Sequence, residues 1–234
     1  MTGEDAVAPP AWTPDLAAAR RVVFQELAVT GAVPSPRRVA QRLGIDDGAA
    51  LGRLRALHDL HQLVLEPEGD AIRMAHPFSA APMGFVLRAA DDRMWWGGCA
   101  WDSFGIVAAL GEDLEITTRC PGCGVTLSLT SGPSVRPPEL VIRIPRPAAH
   151  WWDDVIATCG DLRLYCNEEH VHDDVRRRDV PLGAVVEAWR MWRLALTWYG
   201  DRLDPDYKPT GAADRQRLLV EHGFDDPFWV LPRS

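Results

Sequence analysis

Lysine is nearly missing from this chain: of the 25 basic residues among 234, only Lys208 is not arginine. A basic surplus is missing as well, because 33 acidic residues leave a formal charge of −8. Binding to polyanions needs an excess of cationic side chains on some face, so a general nucleic-acid binder is disfavoured. No apolar run approaches the ~20 residues that a membrane helix requires. The opening MTGEDAVAPPAW is acidic and Pro-rich, without the basic and apolar regions of a signal peptide, so the expected setting is the cytoplasm. Cysteine is absent from the first 98 residues, yet five follow: Cys99, Cys120, Cys123, Cys159 and Cys166. An odd number without a secretion signal argues against a disulfide framework and for thiol or metal chemistry confined to one region.

What is present divides the chain in three. Residues 1–14 read as a flexible N-terminus. Residues 15–75 carry helical punctuation: an apolar stripe at Leu16, Val22, Val23 and Leu27, then Ser35-Pro36 as a cap and first turn, then a helix marked by Leu51, Leu54, Leu57 and Leu60. Apolar segments at 63–66 and 71–74 flank Pro67-Glu68-Gly69-Asp70, a hairpin pattern. Three helices and a β-wing predict a winged-helix-like domain. Its eight arginines balance eight acidic residues, and Asp46 and Asp47 stand just before the would-be recognition helix. DNA is therefore not an expected partner, and the domain reads as a packing module.

Residues 76–234 read as an α+β domain with a small mixed or antiparallel sheet and a C-terminal helical extension. Strand patterns occupy 83–88, 114–118, 125–130 and 140–144, with an apolar helix over 99–110. A long helix is predicted from Leu182 to Tyr199, and one more within 211–228. Ten tryptophans are many for this length. Trp95, Trp96 and Trp101 around Cys99, with Trp151-Trp152, could wall an apolar pocket, while Trp189, Trp192 and Trp198 read as packing residues.

The segment Trp95-Trp96-Gly97-Gly98-Cys99-Ala100-Trp101-Asp102 concentrates the chemistry. With Cys99 opening a helix, its sulfur and the Asp102 carboxyl share a face, the N-terminus lowers the thiol pKa, and the carboxyl can relay a proton. Against this stands a buried structural cysteine with Asp102 as a cap. Cys120-Pro121-Gly122-Cys123-Gly124 is a metal-knuckle pattern on a hairpin turn and makes Cys120 and Cys123 candidate structural zinc ligands. Two further ligands are then needed; His170 and His172 lie near Cys166 but share a face only on a strand. Cys166 precedes Asn167, a candidate helix cap, and Cys159 is placed in the core.

Taken in order, the helical N-terminal domain, His76-Pro77-Phe78-Ser79, Gly98-Cys99-Ala100-Trp101-Asp102, Cys120, Val125-Thr126-Leu127-Ser128-Leu129 and Cys166 resemble the alkylmercury (organomercurial) lyase family, most closely over residues 75–175. The resemblance implies carbon–mercury bond cleavage by two thiolates and an aspartate: Cys99 and Cys166 hold the metal, Asp102 moves the proton, and Cys159 is the alternative second thiol. It implies no required cofactor, Hg(II) as product ion on Cys99 and Cys166, an organomercurial or other apolar small molecule as substrate, and exogenous thiols as partners. Soft Hg(II) prefers thiolate, so the residue types suit that chemistry. Cys123 and the Asn167-Glu168-Glu169 insertion before His170 depart from the family pattern. Two other readings stay open: a lyase-fold enzyme diverted to a non-mercurial substrate, and a non-catalytic metal- or thiol-sensing regulator.

Overall fold

The computed structural model describes residues 10–232. Most of the N-terminus expected to be flexible lies outside that range, and the first helix opens on a capping residue. Thr13 accepts a hydrogen bond from the Leu16 N–H at 3.3 Å and opens α1 (Pro14–Thr30), whose first residue is proline. Ser35 opens α2 (Pro36–Leu43) in the same way. The Asp46-Asp47 pair turns out to be capping chemistry: Asp46 accepts from the Ala49 N–H at 2.8 Å and Asp47 is the first residue of α3 (Asp47–Asp59). The two arginines of α3 are engaged within the protein, Arg53 with Asp15 and Arg55 with Asp70.

Strands β1 (Val64–Leu65) and β2 (Ile72–Ala75) form the expected hairpin. The hairpin does not end a separate sheet. β2 pairs with β3 (Phe78–Ser79), and the sheet continues through β5 (Met94–Gly97), β4 (Phe85–Arg88), β6 (Leu114–Arg119) and β7 (Thr126–Ser131), in that spatial order. A boundary at residue 75 thus falls between neighbouring strands of one seven-stranded antiparallel sheet. Helix α1 is tied to it directly: the Trp95 indole N–H donates to the Leu27 carbonyl at 2.9 Å. Gly31, at φ 70°, lets the helix end against the Met94 carbonyl, which a Cβ would strike. Trp95 is therefore a packing residue and no part of a pocket wall.

A second antiparallel sheet has the order β10 (Ala184–Glu187), β8 (Val141–Ile144), β9 (Arg163–Tyr165). Two sheets replace the single small one expected. The helix expected from Leu182 is also corrected: residues 184–187 are strand, and α7 (Ala188–Tyr199) begins only after them. The β-branched pair Val185-Val186 suits a strand and sits opposite Arg143 and Ile142 of β8, so sheet pairing overrides helical periodicity there.

Four further α-helices lie among the described residues. α4 (Ala100–Leu110) is apolar around nearly its whole circumference and lies at the centre, packed on α7. A Cβ on Gly105 of α4 would stand 2.6 Å from the Tyr199 ring and 2.7 Å from Pro77, so glycine sets how closely α7 approaches. α5 (Val155–Asp161) was not legible in the sequence, α6 (Glu168–Arg178) is capped by Asn167, and α8 (Ala212–Glu221) covers α7. Arg143, buried in β8, donates to Asp161 at 2.6 Å and to the carbonyls of Pro181 and Leu182, fixing the end of α5 against the second sheet. Among the described residues no helix is long and apolar enough to cross a membrane.

Candidate active site

Gly97 and Gly98 bring β5 to the start of α4 with no room for side chains: a Cβ on Gly98 would lie 2.5 Å from the Asp102 carboxylate, and one on Gly97 2.5 Å from the Ser103 hydroxyl. Cys99 then occupies the N-cap, one position earlier than a first helical residue. Its sulfur accepts from the Asp102 N–H at 3.3 Å. Cys99 and Asp102 are both almost completely buried, so Asp102 is no surface cap. From α7, Tyr199 donates its hydroxyl to Asp102 Oδ1 at 2.8 Å.

The second thiol facing this pair is Cys159. It lies on α5, with its sulfur 3.7 Å from Asp102 Oδ2 and 3.5 Å from His76 Nε2. His76 Nε2 is itself 3.9 Å from Asp102 Oδ2. His76, Asp102 and Cys159 thus form one compact group, with Cys99 at its edge. The sequence gives neither His76, named only within the His76-Pro77-Phe78-Ser79 segment, nor Tyr199, named only as a helix end, a role in the site. A histidine before proline and a tyrosine closing an apolar helix carry no local signal, since both acquire meaning only through partners far along the chain.

The two thiols are polarised in opposite directions. Burial, reinforced by Cys159 and the Asp102 carboxylate, pushes the Cys99 thiol well above its ordinary range. The expected lowering by the helix N-terminus survives only as the Asp102 N–H contact, which burial outweighs. Cys159 is shifted down, chiefly by its hydrogen bond with Cys99, with His76 adding to the effect against burial and Asp102. His76 loses basicity through burial but regains more from Asp102 and Cys159, ending at about 8. Burial and then the Asp102 charge push Tyr199 well up, so it remains a neutral donor. The directions of these shifts favour the charged forms of Cys159 and His76 and the neutral thiol of Cys99.

A cavity of about 80 Å³ opens onto these groups. Trp101, Trp151, Trp152 and Trp198 line it. Trp101 meets Trp151 edge-on at 5.4 Å and lies 5.2 Å from Trp198, while His61 stacks on Trp152 at 4.0 Å. Trp198, expected only to pack, is a wall residue, because α7 runs alongside α4. Such a pocket admits an apolar group to two thiols and a carboxylate and limits access of water.

Cys166 is placed elsewhere. It follows β9 and lies 3.7 Å from the Cys123 sulfur, while Cys120 lies 3.7 Å from His170 Nδ1. Cys166 therefore groups with the knuckle on the other side of β9 and not with Cys99 and Asp102. His170 and His172 diverge on a helix; His172 faces Glu168 at 3.8 Å.

Comparison with known proteins bears on the family and the fold. A family model described as alkylmercury lyase (MerB) matches residues 78–200, just over half of the chain. The fold is similar to that of a solved structure entitled "Crystal structure of the mercury-bound form of MerB2", with a TM-score of 0.61 at 17% identity, covering 82% of this chain and 90% of that one. Among curated proteins, none matches. The residues matched by the family model hold Cys99, Asp102, Cys159 and Tyr199. By that match, the chain belongs to the alkylmercury lyase family.

Proposed function

We propose that the protein cleaves carbon–mercury bonds by protonolysis, with Cys99, Cys159 and Asp102 as catalytic residues and Tyr199 and His76 as positioning residues. The observation that carries this reading is the Asp102 carboxylate, 3.7 Å from the Cys159 sulfur and on the residue whose backbone N–H donates to the Cys99 sulfur. Cys159, and not Cys166, is the second thiol on this reading, because Cys166 faces a different cluster.

The steps balance as follows. The Cys159 thiolate displaces the exchangeable ligand of R–Hg–X, giving R–Hg–S and releasing X⁻. Cys99 then adds its sulfur to mercury and gives its proton to the Asp102 carboxylate. Asp102, now neutral, delivers that proton to the carbon; the electron pair of the Hg–C bond becomes the new C–H bond, and RH departs. Mercury remains divalent on Cys99 and Cys159 until two exogenous thiols exchange it. Buried and water-poor surroundings strengthen each charge shift, and the Tyr199 hydrogen bond keeps the carboxylate oriented toward the sulfurs. The tryptophan walls accept the apolar R group.

The test is hydrocarbon release from an organomercurial with excess thiol. Turnover in the wild type, lost in Cys99→Ser, Cys159→Ser and Asp102→Asn but kept in Cys166→Ser, supports the assignment. No release by the wild type, or full activity in Cys159→Ser, overturns it.

A further inference from the structure

The Cys120–Cys123–Cys166–His170 cluster takes no part in the chemistry above, and its geometry is specific. One ligand atom from each residue lies within 4.8 Å of every other. They come from two separate stretches: the turn between β6 and β7, and the junction of β9 with the first turn of α6. A tetrahedral ion with metal–sulfur distances of ~2.3 Å needs sulfurs separated by roughly 3.8 Å. The two measured separations are 3.7 Å for Cys123 to Cys166 and 3.7 Å for Cys120 to His170. A disulfide would instead bring sulfurs to ~2.05 Å.

The surrounding backbone is built for this approach. Gly122 touches α6 so closely that a Cβ would overlap the backbone and Cβ of His170, which makes glycine obligatory where the turn meets the helix. Cys120 O accepts from Gly124 N–H at 2.8 Å and Cys120 N–H donates to Val125 O at 2.9 Å, closing the turn. Arg177 donates to Pro121 O at 2.6 Å and Arg119 to Gly124 O at 2.7 Å, so two cations stand beside a site that three thiolates make negative. Asn167 accepts from the His170 N–H at 3.0 Å, setting the imidazole's place on the helix.

We infer that Cys120, Cys123, Cys166 and His170 form a closed structural zinc site, Cys₃His, that pins the β6–β7 turn to the start of α6. Four protein ligands leave no open position, the mark of a structural rather than a catalytic zinc. A mixed sulfur–nitrogen tetrahedron matches zinc, whereas the dithiolate pair at Cys99 and Cys159 suits mercury. Pinning Cys166 also anchors β9, which leads directly from α5 and Cys159. Zinc would in addition withhold three competing thiols from the product ion.

The test is elemental analysis of the full-length protein expressed with added zinc, together with cobalt substitution. The expected result is one zinc per chain, kept in Cys99→Ser and Cys159→Ser and lost in Cys123→Ser and Cys166→Ser. Cobalt should give the intense thiolate charge-transfer and tetrahedral d–d bands. Should the serine variants fail to fold, the wild-type zinc content and cobalt spectrum decide alone. Absence of zinc with all five thiols titrating freely, a native Cys123–Cys166 disulfide, or zinc lost with Cys159→Ser but kept in Cys166→Ser would each overturn the inference. None of these readings depends on lyase turnover, so the two assignments fail separately.

Discussion

Tyr199 donates its hydroxyl to Asp102 at 2.8 Å across 97 residues of chain, and both groups are buried. The contact exists because Gly105 lets α7 lie directly on α4. It holds the one carboxylate in the thiol group in a fixed orientation. We expect Tyr199→Phe to lower kcat about tenfold with little change in KM, corresponding to loss of a hydrogen bond to a charged group worth about 1.5 kcal/mol. Equal kcat in the variant would show that Asp102 needs no such support.

Serine scanning of the cysteines separates the two sulfur clusters. Cys159→Ser should reduce hydrocarbon release at least about 100-fold, since oxygen binds soft Hg(II) poorly. Cys166→Ser should retain most turnover while lowering Tm. The reverse pattern would return the second-thiol role to Cys166.

Asp102→Asn keeps the shape of the side chain and its acceptor for Tyr199 but cannot accept and return a proton. Mercury from the organomercurial should still bind to the thiols, seen as stoichiometric R–Hg adduct by mass spectrometry, while the carbon–mercury bond stays intact. Hydrocarbon release at the wild-type rate would remove Asp102 from the mechanism.

His76 sets a pH dependence whose direction follows from its shift. Its pKa rises from the ordinary 6.5 to about 8 in the folded protein. The group therefore contributes stability that is fully present below pH 6.5 and is lost as pH rises through about 8. The contribution is about 2 kcal/mol by linkage. Thermal unfolding followed from pH 6 to 9 should show this loss in the wild type and a flatter profile in His76→Gln. Identical profiles would mean that His76 stays neutral.

Gly105→Ala places a methyl 2.6 Å from the Tyr199 ring and 2.7 Å from the Pro77 side chain, both of them buried. Overpacking of this kind costs about 1–3 kcal/mol. We expect a fall in Tm together with reduced kcat, because separating α7 from α4 also lengthens the Tyr199–Asp102 bond. A variant as stable and active as the wild type would show slack at this crossing.

Much of the local structure was written in short-range signals. Ser35 and Asn167 mark helix starts, and the Gly97-Gly98-Cys99 run predicts a turn into an apolar helix; the backbone follows each of them. Capping and alternation act over a few residues, so a linear reading captures them. Strand β10 was missed for a related reason: Val185-Val186 continue the apolar pattern of α7, and only pairing with β8 distinguishes them.

The sequence by itself determined the chemical inventory: a thiol and a carboxyl three residues apart at a helix start, a knuckle of two cysteines, and many tryptophans. Tertiary structure alone decided the partners. It placed Cys159 with Asp102, sent Cys166 to the knuckle with His170, and delivered His76, Tyr199 and Trp198 to the pocket from distant elements. The reason is physical. Propensity and periodicity orient a side chain relative to its own helix or strand, whereas a reactive site depends on which faces meet. Those meetings are set by long-range packing, here by glycines at the α4–α7 and β6–α6 contacts and by the buried Arg143 that fixes the end of α5.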